Sequence, residues 1–217
     1  MKRYGLIGFI LIAAVFFNPG CIKRVERPGN TDLLRYMPLH QWDNFQYSGP
    51  MGRAVVSGNI NDLFTLTYYD KTDKILFWQD LLKNDRGIFW KNLVVRKKGQ
   101  PPLSFEPALP FAPWSRVAGD TLLFSSAEIR GDSANTHMHI QIEYEIMGTE
   151  IVTVPAGTFM DCIKLRMSFK SLYNGEKELL SGDRYLWFAH DVGIVRYAFP
   201  DGAGELLSAK VDGKTYP

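Results

Sequence analysis

The sequence predicts a mostly β protein with little helix, on three observations. Aromatic side chains are abundant, with 5 Trp, 10 Tyr and 14 Phe in 217 residues; with β-branched residues, these suit a pleated, half-buried surface. Turn residues recur at short intervals. One stretch alternates strictly. Met138, Ile140, Ile142, Tyr144 and Ile146 fall on one face, and His137, His139, Gln141, Glu143 and Glu145 on the other. That period of two marks a strand with one buried face.

The first twenty residues stand apart from the fold. Lys2 and Arg3 precede an uncharged apolar run from Gly5 to Phe17. Its length fits the ~7–15-residue core of a signal peptide and falls short of the ~20 residues a spanning helix needs. Asn18 and Pro19 break the run, and Gly20-Cys21 follows. A small residue before cysteine at the end of such a run resembles the lipobox of bacterial lipoproteins, although Asn18 stands where that motif carries an apolar residue. The resemblance implies cleavage before Cys21, a diacylglyceryl group on its thiol, and a membrane tether through that lipid. It places the chain in the bacterial cell envelope. With Ile22 rather than aspartate second in the mature chain, it implies the outer membrane, facing the periplasm, where a cell has two membranes. An ordinary cleaved signal and an uncleaved anchor are the other readings. The expected organisation is a signal peptide over 1–20, a polar tether over 21–30 holding Pro28-Gly29, and one β-rich domain over 31–217.

Within that domain, Phe64 to Tyr69, Ile75 to Trp78 and Ile88 to Val95 are strand candidates, punctuated by Asp70 to Asp73 and Asn84 to Gly87. Leu76 to Leu82 reads equally as a short helix, which periodicity over so few residues does not settle. Gln100 to Trp114 carries five prolines with Leu103, Phe105, Leu109 and Phe111 between them. Proline cannot donate to a ladder, and the segment is too apolar for a solvated linker. It is therefore expected to pack, extended, across an edge or face of the sheet. After the alternating strand, Glu150 to Val154 leads through Pro155-Ala156-Gly157, a turn whose glycine suits the left-handed position. The return strand, Phe159 to Lys170, places Ile163, Leu165, Met167 and Phe169 inward, and Cys162, Lys164, Arg166 and Ser168 outward. His190-Asp191-Val192-Gly193 turns Tyr185 to Ala189 into Ile194 to Phe199, and Asp201 to Gly204 leads into a closing strand, Glu205 to Val211.

Several segments together resemble uncharacterised bacterial exported proteins related to the TapB-type and domain-of-unknown-function lipoproteins. They are an opening motif, Tyr36-Met37-Pro38-Leu39 to Tyr47; Gly119-Asp120-Thr121 after the proline-rich run; VTVPAGTF over Val152 to Phe159, with Cys162 and Lys164; and WFAxxVGxVxY over Trp187 to Tyr197. In the opening motif, Asp43-Asn44-Phe45 stands where a small residue and tryptophan are usual. The resemblance implies a curved antiparallel sheet and carries no known reaction. The resulting expectation is a single curved sheet or half-barrel of about 9–12 strands with the proline-rich segment as its cover. A curved sheet in an envelope lipoprotein also invites comparison with carriers whose half-barrels hold acyl chains, at the level of fold alone.

Charge excludes some functions. Without Lys2 and Arg3, basic and acidic residues balance at 23 each, so no nucleic-acid partner is expected. With Cys21 lipidated, Cys162 has no partner within the chain, and the chain holds no CxxC. Gly131-Asp132-Ser133 is similar to the start of a lipase family whose late D-x-x-H is missing here, and Gly202-Ala203-Gly204 lacks the third glycine of a dinucleotide site. His137 and His139 share a strand face and are the one pair suited to a cation; as bland readings, they are exposed polar residues, Cys162 is a packing residue, and Glu143 and Glu145 pair with Lys164 and Arg166 across strands.

No cofactor and no catalytic constellation is therefore expected. The leading reading is a non-enzymatic protein, held to a membrane by its N-terminal lipid, that binds an apolar ligand or an envelope protein. The aromatics expected to line such a site are Trp78, Trp90, Phe105, Phe111 and Trp114; the competing reading is that they complete a packed core. A structural or assembly component of an envelope complex is the alternative function, and a hydrolase with an unrecognised site the third.

Overall fold

The computed structural model describes residues 32–96, 103–130, 137–173 and 181–217. Thirteen strands occur among them: β1 Asn44–Tyr47, β2 Arg53–Ile60, β3 Leu63–Tyr69, β4 Ile75–Asn84, β5 Gly87–Val95, β6 Leu103–Pro110, β7 Thr121–Arg130, β8 His137–Val154, β9 Gly157–Tyr173, β10 Ser181–Ala189, β11 Gly193–Phe199, β12 Gly202–Val211 and the three-residue β13 Lys214–Tyr216. They form one antiparallel sheet in chain order. The sheet curls, because β1 pairs with β12 as well as with β2, Phe45 lying opposite Ala209 on one side and Ala54 on the other. The first twelve strands correspond to the upper end of the expected range, and the sequence's ambiguous stretch resolves as β4. There Gln79 and Leu81 are buried while Trp78, Asp80 and Leu82 are less so, the period of a strand.

The buried side chains point into the curl. Ile142, Tyr144 and Ile146 on β8 meet Ile163, Leu165, Met167 and Phe169 on β9 and Leu186 and Phe188 on β10. The β8–β9 hairpin is the longest, turning at Pro155-Ala156 with Val154 opposite Gly157. Gly157 has φ 131°, as its place in the turn requires. On the outer face, Arg166 reaches Glu145 at 2.6 Å and Glu143 at 3.6 Å. Lys164 instead lies over the Trp187 ring at 4.9 Å.

Two expectations need correction. Cys162 is fully buried rather than outward, because Asp161 takes φ 52° and the β8–β9 register shifts between Glu150 and Val152, which breaks the parity of the strand. The proline-rich segment does not lie across the sheet over most of its described length. Residues Leu103–Pro110 enter it as β6, between β5 and β7. Proline is accommodated by a ladder that shifts register between Trp90 and Asn92, so fewer donors are needed. Only the continuation leaves the sheet: Phe111, Ala112, Pro113 and Ser115 are buried as the chain turns over the interior.

Because neighbouring strands are antiparallel, connections after even-numbered strands gather at one end and those after odd-numbered strands at the other. The first end is closed by chain outside the ladder. A short 3-10 turn, Leu33–Tyr36, and the residues after it bury Leu33, Tyr36, Met37 and Leu39 there. The Tyr36 hydroxyl donates to the Asp161 carbonyl at 3.3 Å, and the Asp191 amide donates to the Arg35 carbonyl at 2.7 Å. The β6–β7 connection joins them: Arg116 pairs with Asp32 and lies 5.0 Å over the Tyr36 ring. Among the described residues no segment crosses the other end in this way.

Candidate apolar site at the open end

The open end leads into a pocket of about 470 Å3 inside the curl, within the range of about 300–1,000 Å3 typical of small-molecule sites. Its wall follows from strand parity. Phe77, Gln79, Leu93, Met167, Phe169, Leu186 and Ile194 line it from five strands, Phe111 reaches it from the closed-end crossing, and Pro50 and Met51 of the β1–β2 turn stand at its mouth. Aromatic packing gives it shape. Tyr68 stacks on Phe77 at 4.3 Å, and Trp90 contacts Phe105 at 4.9 Å, Phe111 at 6.2 Å and Phe169 at 6.5 Å between ring centroids.

A few polar groups interrupt this surface. Gln79, itself buried, donates from Nε2 to the Tyr68 hydroxyl at 3.3 Å. Burial pushes the Tyr68 hydroxyl well above the ordinary tyrosine range, so it remains a neutral hydrogen-bonding group. Tyr197 holds the mouth: its hydroxyl accepts from the Met51 amide at 3.0 Å and donates to the Ser48 carbonyl at 3.1 Å. Gly204 allows this, since a Cβ there would collide with the Ser48 carbonyl and the Tyr197 ring. Gly202 and Gly204 thus serve close packing, Gly202 against the Pro50 ring and Gly204 against the Ser48 carbonyl.

Arg184 also lines the pocket. It pairs in register with Met167, an inward position, and its guanidinium lies 4.5 Å over the Phe169 ring. Its Nη1 is buried without a hydrogen-bond partner among the described residues. Burial lowers its pKa, although at neutral pH it stays charged.

The residues proposed from sequence are distributed as follows. Trp90 and Phe111 line the pocket. Phe105 lies fully buried against Trp90. Trp114 packs edge-on against Tyr144 at 5.9 Å, and Trp78 lies on the outer face beneath Arg96 at 5.4 Å. His137 and His139 fall on the β8 backbone, but their side chains, like Cys21 and Gly131 to Ser133, lie outside the described residues. Burial pushes the Cys162 thiol up to about 11, which keeps it protonated and poorly nucleophilic. Arg184, Gln79 and Met167 were missed as site residues. For Arg184 a signal existed: it holds an inward register opposite Met167, visible once β9 and β10 are paired. A second hollow, about 410 Å3, lies at the closed end beside Arg35, Lys83, Asp191 and Lys214; its charged rim separates it from the apolar site.

Comparison with known proteins places part of this architecture. A DUF3108-like family model matches residues 119–211, from just before β7 to the end of β12. No curated protein matches the chain. Among solved structures, a candidate lipoprotein from Parabacteroides distasonis superposes with a TM-score of 0.52 at 17% identity, covering 82% of this chain and 100% of its own. A candidate exported protein from Bacteroides fragilis, described as having a YmcC-like fold, gives a TM-score of 0.39 at 14% identity over 80% of this chain and 98% of its own. The first of these likenesses is one of fold.

Proposed function

We propose that this chain is a lipid-anchored protein of the bacterial cell envelope that holds an apolar ligand, without catalysing a reaction on it. The observation that carries the reading is a pocket of about 470 Å3 inside the curl, lined largely by aromatic and aliphatic side chains. Apolar walls with a few placed polar groups are the usual form of a ligand site. The anchor rests on Lys2, Arg3, the run to Phe17 and Cys21. The envelope setting is further supported by the description of the structural neighbour from Parabacteroides distasonis as a lipoprotein. The VTVPAGTF and WFAxxVGxVxY motifs fall inside the span matched by the family model, which favours kinship with TapB-type exported lipoproteins; Ile22 favours the outer membrane.

Two measurements test this. A fluorescent long-chain acyl probe should quench tryptophan emission saturably, and Phe169→Ala should weaken that binding severalfold. An unsaturable, non-specific signal in wild type would remove the ligand-binding reading. Separately, radiolabelled palmitate should enter the wild type and not Cys21→Ala, which should accumulate as uncleaved precursor; equal labelling of both would remove the anchor. The assembly reading draws on one observation, the exposure of Ile151 and Met160 at 60% and 59% on the β8–β9 hairpin, and gains if the probe fails to bind.

A further inference from the structure

We infer that the occupant of the open-end pocket is a single-tailed amphiphile whose head is an anionic oxygen acid, with the tail against Trp90 and Phe111 and the head on the guanidinium of Arg184. This rests on the apolar-ligand reading and specifies which class of ligand fills the site.

The argument starts from parity. Inward positions of β9 and β10 are apolar at Leu165, Met167, Phe169, Leu186 and Phe188, and Arg184 is the exception in the same register. A cation taken from water costs free energy that only a partner offsets. The Phe169 ring, 4.5 Å away, supplies part of that by cation–π attraction. The Nη1 of Arg184 is still buried without an acceptor among the described residues. Asp201 lies at the same mouth and acts on Arg184 as a longer-range charge, yet among the described residues no ion pair within 4.0 Å joins the two, whereas the salt bridges of Arg35, Arg53 and Arg166 are formed. Arg96 also lines the pocket, but it is exposed and its guanidinium is taken up by the Trp78 ring at 5.4 Å. Arg184 is the cation on an inward strand position, placed near the β9–β10 end of its strand, which is the mouth, while Trp90 and Phe111 lie deeper. A guanidinium fork matches the paired oxygens of a carboxylate or phosphate. A positive group at the mouth above an apolar interior fixes orientation as well as class: tail inward, head outward. Gln79 and Tyr68 share a hydrogen bond and bring no charge to the pocket.

Carboxylate and phosphate heads share this chemistry, and the experiment separates them. The full chain, in nanodiscs of a neutral phosphatidylcholine, is titrated with three photoreactive probes sharing one 16-carbon tail with a terminal diazirine: the fatty acid, the monoacylglycerol phosphate and the fatty alcohol. Crosslinked peptides carrying Trp90 or Phe111 are quantified by mass spectrometry. At least one acidic probe should label these peptides at about tenfold lower concentration than the alcohol, as expected for a charge-assisted hydrogen bond in a dry site; which acid does so identifies the head. Arg184→Leu should reduce acid labelling to the level of the alcohol while alcohol labelling persists, which shows that the pocket is still formed. Arg184→Lys should keep a reduced preference. Equal labelling by acid and alcohol in wild type, or a preference that survives Arg184→Leu, would overturn the assignment of the head and leave apolar binding standing. Labelling of neither peptide by any probe would remove the apolar site itself.

Discussion

The two ends of the curled sheet are made of similar material and finished differently. At the closed end, Tyr36, Met37, Leu39 and Phe111 are buried, and all four belong to segments outside the ladder. At the open end Phe77 and Phe199 are only half-buried and Ile75 is exposed, although all three sit on strands. The difference teaches where coverage comes from. Strand side chains fill the middle of a curled sheet, but its ends must be crossed by other chain. Where the described chain crosses an end, as Tyr36, Met37 and Leu39 do, it turns that end into core.

Several measurements can break or sharpen that comparison. The largest effect is expected at the closed end: Tyr36→Ala removes a fully buried ring and should cost about 3–5 kcal/mol, as large-to-small core changes do, read from urea unfolding. Next is the hairpin turn of the same end, where Gly157→Val forces a β-branched residue to positive φ and should cost about 1–3 kcal/mol. A Cβ there meets open space, so the penalty is conformational, and Gly157→Asn should be milder. An unchanged melting temperature for valine would mean that the turn tolerates another backbone. At the open end, Phe77→Ala loses a stacked pair with Tyr68 and should cost about 1 kcal/mol. If it matched Tyr36→Ala, the two ends would not differ in packing.

The smallest effect concerns pH. The hydrogen bond from Arg35, with Nε 2.8 Å from Oδ1, holds the Asp191 carboxyl below the usual aspartate range. A depressed folded-state pKa contributes stability above the unfolded value of about 3.9. That contribution is lost as pH falls through the lower folded value. Acid titration of wild type against Asp191→Asn should show this added acid sensitivity only in wild type. High salt should shrink it, because the pair is partly exposed. A pH profile identical in the two proteins would show that this contact does not help clamp the 3-10 turn.

Legibility in the sequence followed the physics of each segment. The β8–β9 hairpin was readable because Ile142 to Ile146 and Ile163 to Phe169 alternate without interruption against polar residues. Cys162 was not, since a left-handed Asp161 shifts the phase and nothing local requires it. β6 was obscured by proline, whose penalty in a ladder is real but was avoided by skipping pairs opposite Phe105 to Ala108. Tyr36, Met37 and Leu39 stand out in the sequence only as part of a family-like motif, because a short irregular segment has no period. Of the pocket, the wealth of aromatics was visible and their sorting was not: Trp90 faces in and Trp78 out, a distinction set by register alone.

The β1–β12 ladder has a consequence for how the molecule comes into being. Asp43 and Asp212, 169 positions apart, are joined by a hydrogen bond from the Asp212 amide, and Phe45 waits for Ala209. Contacts so distant along the chain make for slow assembly. As the polypeptide is made from its N-terminus, β1 keeps one edge bare until the last strands arrive. During that interval the nascent chain presents an unsatisfied template to any passing strand. Its vulnerable period is therefore the interval between the synthesis of β1 and that of β12, and a chaperone that shields that edge would matter most before Val211 emerges.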